Sequence, residues 1–440
     1  MSNNTLFIFT LMKIIITIFF LLIAFFTIYK IKMYGAKGMK KHWFAVAFAI
    51  KVILASAMIF MYSRTPEIKT NADIFRYYND AQVIYNSIKT DPTIFFKLLA
   101  NNTEDSKLVP YYKRMDNWNY SYGSKIYSNN RFIIRYIALF SIITFGSYGA
   151  MVVITIFLSF TGLFWIFRFF NSKIKGNTLL IFLIVFLTPS IAFWSSGILK
   201  ESLLIFFIGL FLNCGSLALK GQKPIARAII VLLTLIVIFQ LKAIVLLLLL
   251  PSSIAYLWNH FIPNQRAIIP YFILFFVSFS LASESNSFLS KGLFELLQDK
   301  QSGFIEVANH YNPKSIISPI VFESNAISIA SNSPIAIVNV LFRPALWEAY
   351  NIQSYASAIE NIAIFISLLL IIISPKKEID NKNLFLFTIS FALSFIIIIG
   401  LSTPILGAIS RYRIIPLLFI EMSIIQIIDT TKIKSLFPFK

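Results

Sequence analysis

The chain has 440 residues, 58% hydrophobic and 16% aromatic, with a mean hydropathy of +0.76 and a formal net charge of +20. Apolar runs of about 18 residues or more recur along it, each long enough to cross a bilayer, which excludes a string of soluble domains. Stretches such as 229–238 are solidly apolar and do not alternate, which excludes a barrel, so the expected fold is an all-α polytopic membrane protein.

The elements follow in chain order. The first apolar run, 6–29, is longer than the core of a signal peptide and ends in a basic segment, so it is expected to stay as a helix. Lys30, Lys32, Lys37, Lys40 and Lys41 form that segment without an acid, which places it in the cytoplasm. A span over 43–62 leads to a first extracytoplasmic segment, 63–131. The apolar stretch 132–145 is short and carries Arg135. Spans over 148–169, 179–194 and 202–219 follow, with Ser195-Ser196-Gly197 as a turn and Arg168, Lys173, Lys220 and Arg227 marking returns inward. The run 228–258 is too long for one span and is interrupted by Gln240 and Lys242, so a helical hairpin is expected with Lys242 near the outer face. After a span over 268–282 comes a second extracytoplasmic segment, 283–354. Spans over 355–373, 384–401 and 414–428 complete about eleven (10–12) in one integral-membrane domain, 1–440, with Lys432, Lys434 and Lys440 placing the C-terminus in the cytoplasm. Because the cations lie in short segments between apolar runs, and not on one folded face, no nucleic-acid partner is expected.

Ionisable residues at the ends of such spans are candidates for function, because charge at membrane depth is costly. In 71–81, Asp73, Arg76 or Tyr77, and Asp80 share one helical face, so the two carboxylates can supply a general base; an ordinary solvated helix face has the same spacing. In 189–201, a proline and a glycine bracket a turn, and Lys200 and Glu201 then enter an apolar helix. Neighbours on a helix point about 100° apart, so these two are expected to serve different partners: Lys200 a phosphate, Glu201 a sugar hydroxyl or a cation. Arg343 and Arg411 have the fork geometry that suits phosphate, whereas Arg413 and Trp347 fit equally well as interfacial anchors. Lys242 joins the substrate-binding candidates. Trp118, Tyr120, Tyr122 and Tyr127 suit either stacking on sugars or anchoring at headgroup level. Cys214 is the only cysteine, and His42, His260 and His310 lack ligand spacing, so no metal or other cofactor is indicated; a divalent cation is neither required nor ruled out by any motif.

These features resemble the C-type (GT-C) superfamily of integral-membrane glycosyltransferases. The resemblance is carried by the acidic motif Asp73-Ile74-Phe75-Arg76-Tyr77-Tyr78-Asn79-Asp80 soon after a span, and by the proline-containing turn followed by Lys200-Glu201. It implies a multi-pass protein of a bacterial inner membrane. Such a protein transfers a sugar from a polyprenyl-phosphate or polyprenyl-diphosphate donor to a glycan, lipid or protein acceptor at the extracytoplasmic face, in cell-envelope polysaccharide synthesis. It implies that Asp73 is the catalytic base, with Asp80 second. The motif departs from the family pattern in having no Asp-Asp or Asp-X-Asp, so metal dependence does not carry over. An O-antigen-type polymerase or ligase is an alternative that would use Arg343 and Arg411 on a diphosphate-linked glycan. A transporter or flippase of lipid-linked sugars is another; it would hold its ionisable groups near the midplane on glycine-broken helices, whereas the candidate charges of this chain gather toward one side.

Overall fold

The computed structural model describes residues 3–101, 105–118, 129–263, 266–283, 291–311, 313–430 and 432–433. Among these residues it is predominantly helical and forms no strand. Among the described residues, seven helices are long and apolar enough to cross a membrane and four shorter ones are apolar, which makes the chain an all-α polytopic membrane protein. Tyr120, Tyr122, Tyr127, Lys434 and Lys440 lie outside the described residues.

The chain divides into two compact units, Met1–Phe169 with Ala192–Ala243, and Phe170–Ile191 with Ile244–Lys440. The first holds α1 (Asn3–Lys30) and α2 (Lys41–Tyr62), then α3 (Pro66–Asn71), α4 (Asp73–Ser87), α5 (Pro92–Leu99) and α6 (Val109–Tyr112) in the polar segment after the second span. Next come α7 (Asn129–Thr144), nearly all of α8 (Tyr148–Asn171), and α11 (Lys200–Leu219). The chain passes between the units at the end of α8, in α10 (Pro189–Trp194) and in α12 (Pro224–Phe261), and α9 (Thr178–Leu187) belongs to the second unit. The second unit holds α13 (Ile268–Ser283), α14 (Leu293–Tyr311), α15 (Ala326–Phe342), α16 (Ile352–Ile373), α17 (Lys382–Ser402), α18 (Leu406–Tyr412) and α19 (Ile414–Ile427).

Within the first unit, α8 and α11 cross at van der Waals distance because glycine faces glycine. A Cβ on Gly162 would run into the backbone of Ile205 and Phe206, and one on Gly209 into the backbone of Gly162. Such small-residue crossings are how helices associate where lipid gives no hydrophobic drive. The motif helix α4 packs along α7. Its Tyr78 hydroxyl donates to the Gly146 carbonyl at 2.5 Å, in a turn where Phe145 and Gly146 both have positive φ.

Two expectations are refined. The long run 224–261 leaves helical geometry at Lys242 alone (φ −163°, ψ 90°), so the break falls at the expected residue without a separate turn segment. The segment 283–354 is not uniformly polar, because it contains the 17-residue apolar helix α15. That helix lies along α17, with Ala336 against Gly400, whose Cβ would meet the Ala336 backbone. The amphipathic α14 packs Phe294 and Leu297 into the same cluster as Ile329, Ala336 and Leu401. Its Gln301 donates to the Leu401 carbonyl at 2.6 Å and to that of Ile320 at 2.9 Å.

Candidate functional site

The acidic motif does form one helix. Ala72 is the N-cap and makes no side-chain cap bond, so Asp73 occupies the first helical position, where the helix dipole favours a carboxylate. Asp73 is half-buried, and Tyr77, one turn further on, is buried. Lys200 is the first residue of α11, and its ammonium lies 5.7 Å from the centre of the Tyr77 ring while donating to Asn130 Oδ1 at 2.9 Å. The cation that opens α11 thus meets the Tyr77 ring one helical turn after Asp73, near the start of α4.

A buried cation holds the loop that delivers Lys200. Lys51, in the middle of α2, is 3% exposed. Its ammonium donates to the Ser195 carbonyl at 2.5 Å, to the Ser195 hydroxyl, and to the Ser196 hydroxyl at 3.4 Å. The Ser202 hydroxyl closes the loop from the other side by donating to the Gly197 carbonyl at 2.7 Å. Gly197 is glycine because a Cβ there would strike Met58 of α2 and touch Ile74 of α4. Loop, second span and motif helix are therefore packed as one piece.

Lys200 and Glu201 diverge as adjacent helical residues must. Glu201 is 2% exposed and faces Lys242 at 3.8 Å, where α12 breaks. Gln240, just before the break, accepts from Arg135 of α7 at 3.2 Å, and Arg135 also donates to the Leu99 carbonyl at 3.1 Å. The two residues that interrupt the apolar run 228–258 are thus both engaged inside the first unit.

Asp80 is placed differently from Asp73. It is 4% exposed and accepts the backbone N–H groups of Asp116 at 3.2 Å and Asn117 at 2.8 Å. Burial pushes its carboxyl above the usual carboxylate range, and the bonds from Asn117 offset part of that rise. Its carboxylate ties the 115–118 turn to α4. Trp118 is fully buried, stacked on Tyr112 with ring centres 5.2 Å apart and covered by Arg131 at 5.5 Å. It is a core residue, and neither a sugar platform nor a headgroup anchor.

Arg343 and Arg411 belong to the second unit. Arg343 caps α15 and pairs with Glu348, its Nε donating to Oε1 at 2.8 Å. Burial works against that carboxylate, but the Arg343 guanidinium and the Ala345 N–H hold it below the usual range. One edge of the Arg343 fork is therefore spent, and the side chain remains 35% exposed. Arg411 is half-buried on α18 beside Tyr412. Trp347 is 89% exposed.

Arg413 is not an interfacial anchor. It is 1% exposed, donates to Glu360 Oε1 at 2.7 Å and to the Val340 carbonyl at 2.7 Å. Sequence reasoning missed this pair, and also Lys51 and Glu421. The charges are not confined to span ends, since Lys51, Glu360 and Glu421 each lie inside an apolar helix. A lone ion within such a run was the available signal. Among the described residues, no group of His, Cys, Asp and Glu is arranged to hold a metal. No family model, curated protein or solved structure matches the chain.

Proposed function

We propose that the chain is a glycosyltransferase of the inner membrane, taking a sugar from a polyprenyl-(di)phosphate donor and passing it to a glycan, lipid or protein acceptor on the extracytoplasmic side, with the C-terminus in the cytoplasm. The observation that carries this reading is Lys200 lying over the Tyr77 ring, one turn along α4 from Asp73. Asp73 takes the acceptor hydroxyl proton as that oxygen attacks the anomeric carbon and the lipid phosphate leaves. Lys200 supplies positive charge, and Tyr77 and Asn130 fix its position. Asp80 is a positioning residue that keeps α4 on the 115–118 turn. Arg343 and Arg411 are candidate phosphate-binding groups of the second unit, and the Glu201–Lys242 pair supports the α12 break.

The test compares lipid extracts from cells that lack the protein with extracts from cells carrying the wild type or Asp73→Asn. A polyprenyl-linked sugar that accumulates in both the deletion and the Asp73→Asn strain supports the reading, with transfer reduced by about 10² or more. An unchanged lipid pool in the deletion strain refutes transfer, and full complementation by Asp73→Asn removes the base. Orientation is read from single cysteines at Asn86 and Ser302 in a Cys214→Ser background, which should react with an impermeant thiol reagent in intact cells. A carrier of lipid-linked sugars is the second reading, favoured by the ionisable groups inside the spans of the second unit.

A further inference from the structure

Two carboxylates and one guanidinium lie among the apolar helices of the second unit. Glu360 is on α16, Glu421 at the middle of α19, and Arg413 at the junction of α18 and α19. Glu360 is fully engaged. Its Oε1 accepts from Arg413 Nη2 and from the Ser190 hydroxyl, each at 2.7 Å, and its Oε2 accepts the Ser190 N–H at 2.7 Å. The charge of Arg413 is therefore cancelled by Glu360. Glu421 accepts a hydrogen bond from the Thr188 hydroxyl at 3.3 Å, and lies within electrostatic reach of both Glu360 and Arg413.

The helices packed most closely on α19 within the second unit carry few other charges, and Lys173, Lys376 and Asp380 lie by its far end at Gln426 and Ile427. Helix α9 carries no charged residue, α16 carries only Glu360, α17 only Lys382 at its first position, and α18 only Arg411, two residues before Arg413. Phe170, where the second unit begins, meets Phe419 of α19 edge to face. Glu421 is half-buried, and ionising it would add a second negative charge near Glu360 with Arg413, already paired to Glu360, as the cation at hand. Arg413 also has a buried donor, Nε, with no acceptor.

We infer that Glu421 is a proton-binding site within the membrane, with Glu360 as the fixed anion and Arg413 as the shared cation. In one state the carboxyl is neutral and rests on the Thr188 hydroxyl. In the other its O–H bond has broken, the electron pair stays on the carboxylate, the proton has passed to water, and the carboxylate turns to Arg413 Nε. Thr188 ends α9 immediately before Pro189 opens α10, so the two states pull differently on a helix break. The inference does not depend on sugar transfer, because its test reads the proton and not turnover.

The test uses full-length protein in lipid nanodiscs and infrared difference spectra recorded across pH. The wild type should lose one protonated-carboxyl band as pH rises, and Glu421→Gln, which mimics the neutral form, should lack that band. Identical titrations in the two proteins would overturn the site. Should Glu421→Gln not give monodisperse protein, the wild type is treated with a hydrophobic carbodiimide, which reacts with protonated carboxyls in lipid. An adduct on Glu421 that declines as pH rises supports the inference, and an adduct absent from Glu421 at every pH refutes it.

Discussion

Glu360→Gln tests the physical account of the second unit most directly, because the change is nearly isosteric and deletes only charge and one acceptor. The carboxylate uses both oxygens, toward Arg413 on one side and the Ser190 N–H on the other. A glutamine has one acceptor oxygen and one NH2. Whichever way the amide turns, its N–H faces a donor, either the guanidinium or the Ser190 N–H. Arg413 and Glu360 are 1% and 2% exposed, so solvent does not screen the loss. Breaking a buried pair on one side costs about 3–5 kcal/mol, whereas replacing both members with apolar residues of similar volume is often close to neutral. The expected order is therefore wild type and Glu360→Met/Arg413→Met close together, with Glu360→Gln and Arg413→Met well below both. Thermal unfolding of the purified protein in one detergent, with SDS titration as a second probe, measures the order. A Glu360→Gln protein within about 1 kcal/mol of wild type, or a double variant no more stable than Arg413→Met alone, would refute the reasoning.

Three further outcomes follow from the first unit. Lys51→Met should free the 195–199 loop, cost about 1–3 kcal/mol through the oxygens left unpaired, and raise amide exchange at Ser195 to Leu199; unchanged exchange there would show that the ammonium does not hold the loop. Gly162→Leu should abolish monodisperse protein by forcing α8 from α11, while Gly215→Ala, where a Cβ meets nothing within 4 Å, should be neutral or stabilise by up to about 1 kcal/mol; size-exclusion profiles separate the two. Asp80 has a folded-state value above its unfolded one, so the stability linked to its proton is present below the ordinary carboxylate range and lost as pH rises through the raised value. Thermal midpoints recorded against pH should show that decline in the wild type and not in Asp80→Asn.

The spans were legible because a bilayer imposes length and apolarity together, and Gln240 with Lys242 marked the break in α12 by interrupting that pattern. The motif helix was legible from the spacing of Asp73, Tyr77 and Asp80, and the divergence of Lys200 and Glu201 from helical geometry alone. Helix α15 was hidden because Ser331, Asn332, Ser333 and Pro334 dilute its hydropathy, although only packing against α17 decides its place. Lys51, Glu360 and Glu421 were hidden for the opposite reason, since a single ion barely moves the average over a long apolar window. Their partners are set by tertiary packing. Nothing local links Glu360 to Ser190 or to Arg413, and no period in the sequence encodes that meeting.

The Glu360 network also constrains how the chain is made. Ser190 leaves the ribosome first, Glu360 well after it, and Arg413 later still. The helix carrying Glu360 must therefore enter the bilayer before its cation exists, at a point where a bare carboxylate would cost several kcal/mol. Glu360 therefore waits for its cation until α18 and α19 arrive and Arg413 seats against it. Assembly of the last two helices is then a step of charge pairing as well as packing, and a chain truncated before residue 413 is expected to hold Glu360 against Ser190 without the guanidinium that neutralises it.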